Sequence, residues 1–136
     1  MNERTEAVVL MERAPCSAAP FISMLETLLP SHEIELLRFY LQLSETSVPP
    51  IHLHCYLTAD PRILTERVTS RGRAAEIGQV DHEYNLALTR AQTTFYGSLE
   101  EKGHRVRYIS TERDIDEVAR HIISEVDMVQ NELDVN

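Results

Sequence analysis

Four side chains between positions 67 and 76 have the types and spacing to hold an anion: Arg67-x-x-x-Arg71-x-Arg73-x-x-Glu76. Arg67 and Arg71 lie four apart and share a face of any helix that runs through both. Arg73 falls just beyond, in a glycine-containing stretch free to move. Like charges on one face repel by a few tenths of a kcal/mol, a small cost that an anionic ligand relieves. Phosphoryl transfer needs such a clamp, because charge builds on the equatorial oxygens and catalysis is mostly positioning plus electrostatics. Spacing alone leaves a solvated basic turn as the plain alternative. A second pair, Glu12-Arg13, follows the apolar run Ala7-Val8-Val9-Leu10-Met11. In open α/β sheets ligands bind beyond the carboxyl ends of strands, which aims Glu12 and Arg13 at the expected crevice. Taken by itself the pair reads better as a strand-end ion pair.

The elements that must carry these residues alternate along the chain. The run 7–11 has the pattern of a strand buried on both faces. A helical stretch at 18–29 closes at Pro30, and Ser31 is placed to cap a second helix reaching about residue 45, with Ile34, Leu37 and Leu41 inward. Pro49-Pro50 punctuate before a second strand at 51–57. Asp60-Pro61 begins a helix with a capping carboxylate and proline at the first helical position, and Ile63, Leu64 and Val68 point inward until it stops near Ser70. Residues 71–80 read as a loop. From Asp81 a long helix sets Tyr84, Leu88, Ala91, Phe95 and Leu99 on one stripe as far as Gly103. A third strand at 105–110 precedes a last helix with an Asp114/Glu117 capping box and a stripe of Ile115, Val118, Ala119, Ile122, Val126 and Val129. The order is that of an α/β fold with a parallel sheet of three strands, thin for its class.

One domain is the most that 136 residues allow. The net charge of −9 argues against a nucleic-acid-binding surface, yet the basic residues are twelve Arg to a single Lys, the side chain suited to bidentate phosphate contact. Cys16 and Cys55 show no metal or disulfide spacing, and Cys16 reads as packing. No apolar stretch is long enough to span a membrane and no leader is visible, so a cytoplasmic setting is expected. His52 and His54 alternate on one predicted strand, but no third ligand is evident, so no metal site is expected.

Set side by side, Glu12-Arg13-Ala14-Pro15 after a strand resembles the Glu-Arg-Ser or Asp-Arg-His-Pro motif of deoxynucleoside kinases, herpesvirus-type thymidine kinases included. The segment from Glu66 through Arg67, Arg71 and Arg73 to Glu76 resembles their lid, at about 67–80. The resemblance covers nearly the whole chain. It implies an ATP- and Mg2+-dependent phosphorylation of a deoxynucleoside 5′-hydroxyl, leaning to thymidine or pyrimidines. Arg13 would contact the 5′-hydroxyl region and Glu12 would sit beside metal and phosphates. Arg67, Arg71 and Arg73 would hold ATP phosphates, and Glu76 would accept from the deoxyribose 3′-hydroxyl. Ala18 would line the base pocket, and the turn at 110–114, with Ser110 and Asp114, would pack against adenine. Ala14 departs from the family's serine or histidine, and one extra residue before Tyr84 leaves that tyrosine without an assigned role.

The family's P-loop, G-x-x-x-x-G-K-[ST], is absent: none of Gly72, Gly78, Gly97 and Gly103 begins it, and Lys102 is the only lysine. By the resemblance that loop and the catalytic carboxylate would lie upstream of Met1. The chain would then be a single partial kinase domain, a C-terminal portion of an incomplete P-loop-kinase-like sheet whose central strand is missing. The expectation is a poorly stable isolated chain, or one that closes the gap or borrows a strand from a complementing N-terminal portion. A homodimer through helices is the other expected partnership. Two alternatives stand beside this reading. Thymidylate kinase shares the fold and an arginine lid, but nothing near Glu12 matches its Asp-Arg-Tyr-type sequence. A non-catalytic remnant or interaction module would explain the missing loop, though not the retained arginine cluster.

Overall fold

The computed structural model describes residues 7–76 and 78–135. A short 3-10 turn at Pro15–Ala18 leads into α1 (Ala19–Leu25), followed by α2 (Ser31–Thr46), β1 (His54–Thr58), α3 (Pro61–Arg71), α4 (His82–Glu101), β2 (Val106–Ser110) and α5 (Ile115–Val135). The two strands pair in parallel, His54 against Val106 through Thr58 against Ser110.

Side-chain alternation along these strands sets the layers. Tyr56 stacks on Tyr96 of α4 at 4.6 Å between ring centres, and its register partner Tyr108 donates to Glu100 of the same helix. Arg107, one residue away, turns to the other face and bonds Glu125 of α5 at 3.0 Å. One helix therefore covers each face of a two-stranded ribbon. Ile109 is completely buried between them, with Tyr56, Leu99, Val106, Val118 and Val129.

Local chemistry explains where the helices start and stop. Asp60 accepts from the Arg62 backbone N–H at 2.8 Å and Pro61 fills the first helical position, as expected. Gly72, at φ 64°, ends α3 in the left-handed conformation that costs a glycine nothing. The helix thus runs through Arg71 and keeps Arg67 and Arg71 on one face. Asp81 caps α4 by accepting from Tyr84 N–H at 2.9 Å.

Four expectations are corrected. The run 7–11 is not a strand: it is unpaired, and Val8, Val9, Leu10 and Met11 are all more than half exposed. Apolar character makes a buried strand only where a neighbouring backbone offers a ladder, and the sheet among the described residues has two strands rather than three. His52 falls outside β1, so it shares no strand face with His54. Ser31 is the first residue of α2 rather than its cap; Pro30 holds the cap position, and its carbonyl accepts from Glu33 and Ile34. Ile115, at the first turn of α5, is 80% exposed and leaves the stripe that Val118 and Val129 bury.

The accessible surface is 10241 Å2, against roughly 7,200 Å2 for a compact monomer of this mass. The excess has visible sources besides the 7–11 run. On α2, Ile34 is buried and Leu37 and Leu41 are half-buried as expected, while Leu36, Phe39, Tyr40 and Leu43 form a second, exposed stripe at helical spacing.

His54 leaves a pH signature. Burial, and then the neighbouring His104, push its imidazole below the ordinary value of 6.5. The unfolded chain therefore takes up a proton that the folded chain resists, so stability is full above that value and falls as pH drops below it, until the folded imidazole also titrates. Thermal melts between about pH 5 and 8 should show Tm decreasing on acidification. His54→Gln should flatten that part of the profile.

Candidate functional site

A cleft of about 450 Å3 opens at the carboxyl end of β1, between α3 and α4, within the size range of small-ligand pockets. Leu64, Val68, Val80 and Leu88 give it apolar walls, and Tyr56 lies on the sheet side. Three charged residues expected at the site converge on it from separate segments: Arg13, Arg71 and Glu76. The Arg13 guanidinium lies over the Phe21 ring at 5.2 Å, a cation–π contact that holds it at the cleft.

Glu76 is the hub of the turn that follows α3. Its mostly buried carboxylate pairs with Arg71 and, at 3.7 Å, with Arg73, so one anion bridges two guanidinium groups. The turn after Gly72 makes this possible. Glu76 N–H donates to Arg73 carbonyl at 2.9 Å, and Gln79 and Val80 donate to Glu76 carbonyl, which folds the segment back towards α3. An incoming phosphate would meet both arginines already gathered, and would compete with Glu76 for them.

The remaining expected residues lie elsewhere. Arg67 turns away from the cleft towards the turn after β2, donating to Thr111 Oγ1 at 2.9 Å and Thr111 carbonyl at 2.7 Å. That turn is the one the resemblance assigned to adenine. Ser110 tightens it, its Oγ accepting from Glu112 N–H at 3.2 Å and its carbonyl from Arg113. Asp114 is exposed, and its carbonyl accepts from Val118 N–H at 3.1 Å as α5 begins. Glu12 and Ala18 are exposed and do not line the cleft.

Sequence reasoning missed Asn85, Gln92 and Thr111. Asn85 is 5% exposed, lines the cleft, and donates through Nδ2 to Thr65 Oγ1 at 3.0 Å. Thr65 sends its own hydroxyl proton to Pro61 carbonyl at 2.8 Å, which fixes the direction of the Asn85 amide. Gln92, two turns on, accepts from Tyr56 OH at 3.3 Å. A signal was available: 85, 88 and 92 recur at helical spacing, and a polar side chain on a buried stripe is the informative kind. Cys16 packs as expected, its thiol pushed up by burial and then by Glu45, the opposite of an activated nucleophile.

An α/β unit with an arginine-lined cleft at its strand ends is the class that fold and site define. The deoxynucleoside kinase family model matches residues 1–131, and the chain belongs to that family, whose members are nucleoside kinases. No curated protein matches the chain. For the family's cofactors, Arg71 and Arg73 suit phosphate oxygens by charge and bidentate geometry. Among the described residues no three His, Cys, Asp or Glu side chains gather around a point where a metal could sit. No helix of the described residues is long and apolar enough to cross a membrane.

Glu76→Gln removes the charge that Arg71 and Arg73 share. Inorganic phosphate should then bind about two- to fivefold more tightly, the scale of an ion pair with exposed arginines, as measured by titration calorimetry.

Proposed function

We propose that this chain is the lid and acceptor portion of an ATP-dependent deoxynucleoside 5′-kinase, with thymidine and other pyrimidine deoxynucleosides as the favoured acceptors. The observation that carries the reading is the convergence of Arg13, Arg71 and Glu76, from three segments, on one cleft at a strand end. When bound, ATP supplies the phosphoryl group. Arg71 and Arg73 exchange Glu76 for its phosphate oxygens, and Glu76, so released, accepts from the sugar hydroxyl. Arg13 orients the acceptor hydroxyl. Arg67, with the turn carrying Ser110 and Asp114, serves the nucleotide end. The lean to thymidine rests on the resemblance at Ala18, and Glu12 beside the phosphates rests on resemblance also.

Transfer of radiolabelled phosphate from ATP to thymidine and deoxycytidine tests the reading. Arg71→Ala should lower transfer by on the order of 100-fold, the cost of losing one charge-stabilising donor. Absence of transfer to any nucleoside would sink the catalytic claim for this chain.

A cytoplasmic setting and two kinds of partner belong to the same proposal. A complementing N-terminal portion would pair with the unladdered run 7–11 and supply the P-loop. The exposed stripe Leu36, Phe39, Tyr40 and Leu43 on α2 suits a twofold contact with a second copy, where one patch meets itself. Sedimentation should show a concentration-dependent dimer, shifted to monomer by Phe39→Glu with Leu43→Glu. The large exposed surface also favours a second reading, a non-catalytic interaction module of the kinase fold. Nucleoside transfer separates the two.

A further inference from the structure

Arg67 is the one lid arginine whose guanidinium is held by neutral groups rather than by Glu76. Two of its five N–H donors are used, one on Thr111 Oγ1 and one on Thr111 carbonyl. The remaining donors make no hydrogen bond among the described residues, and the side chain is exposed. Thr111 is itself doubly fixed: its backbone N–H and its hydroxyl both donate to Thr58 carbonyl, at 2.8 and 2.9 Å. Because the hydroxyl proton is spent on Thr58, its oxygen lone pairs face Arg67. The direction of every bond in this chain is settled, from the end of β1 through the turn after β2 to the lid helix.

We infer that Thr111 is a positioning residue: it orients Arg67 for the phosphates of a nucleoside triphosphate. This rests on the phosphate-holding role proposed above for the lid. A long arginine side chain loses considerable rotamer freedom when it engages a ligand, and a guanidinium already fixed by two bonds avoids most of that cost. Thr111 also ties the turn carrying Ser110 and Asp114 to α3 through Arg67. Thr111 touches neither cleft nor ligand in this account and acts only through Arg67.

The test is a double-mutant cycle read as affinity for ATP and for inorganic tripolyphosphate, by calorimetry on the 136-residue chain. Thr111→Val keeps the side-chain shape and removes the hydroxyl; it should weaken both ligands roughly tenfold, the effect of losing about 1.4 kcal/mol of pre-organisation. Thr111→Ser should restore native affinity. In an Arg67→Ala background Thr111→Val should have no further effect, because the residue it positions is gone. If it weakens binding there as much as in the native chain, Thr111 merely supports the strand ends and the inference is overturned. Arg67→Lys, a surface change that keeps the charge and the fold, guards against a Thr111 variant that unfolds. Its affinity should fall to that of Arg67→Ala, and native affinity in Arg67→Lys would overturn the inference. Failure of the native chain to bind either ligand would overturn the lid's phosphate role together with it; native binding with an unchanged Thr111→Val would overturn this inference alone.

Discussion

The parallel ladder of His54–Thr58 with Val106–Ser110 does not stop where regular strand geometry does. Thr58 carbonyl uses both lone pairs on Thr111, and Thr111 in turn holds Arg67. A parallel pair of five residues a side is a weak thing alone, since isolated two-stranded ribbons are marginal in water. Extending it by one residue, and tying a helix to that residue, fixes where α3 leaves the sheet. Once α3 is placed, Arg71, the Gly72 turn and the folded-back Glu76 have their positions decided, and the cleft between α3 and α4 follows.

The cleft itself is a balance of charge. A carboxylate with little access to water favours cationic partners, and Glu76 draws two arginines onto itself. The same two arginines are the ones proposed above to take phosphate oxygens. The segment after Gly72 is therefore folded back against α3 by its own carboxylate. Arg13, steadied over Phe21, completes a ring of groups that no single element of the chain contains.

The surface tells a different story from the site. An exposed apolar run at 7–11 and an exposed stripe on α2 leave the molecule with far more accessible area than its mass predicts. Both are segments whose sequence asks for burial: one has the pattern of a doubly covered strand, the other a second helical stripe. The interior that does form, around Ile109, is thin.

Local chemistry made much of this legible from residue order. Asp60-Pro61, Asp81 and Gly72 each carry their instruction within three or four residues, so the bounds of α3 and the start of α4 were readable, as was the lid grouping of Arg71, Arg73 and Glu76. The family, too, was readable from two short motifs. Pairing was not, because a ladder depends on a distant backbone: 7–11 has the composition of a strand and lacks a neighbour among the described residues. Nor could spacing reveal that Arg67, four residues from Arg71 on the same helix face, would turn to Thr111, 44 positions away. Whether an arginine meets a carboxylate, a carbonyl or a ligand is decided by what the fold brings within about 3 Å. That is a property of tertiary structure alone.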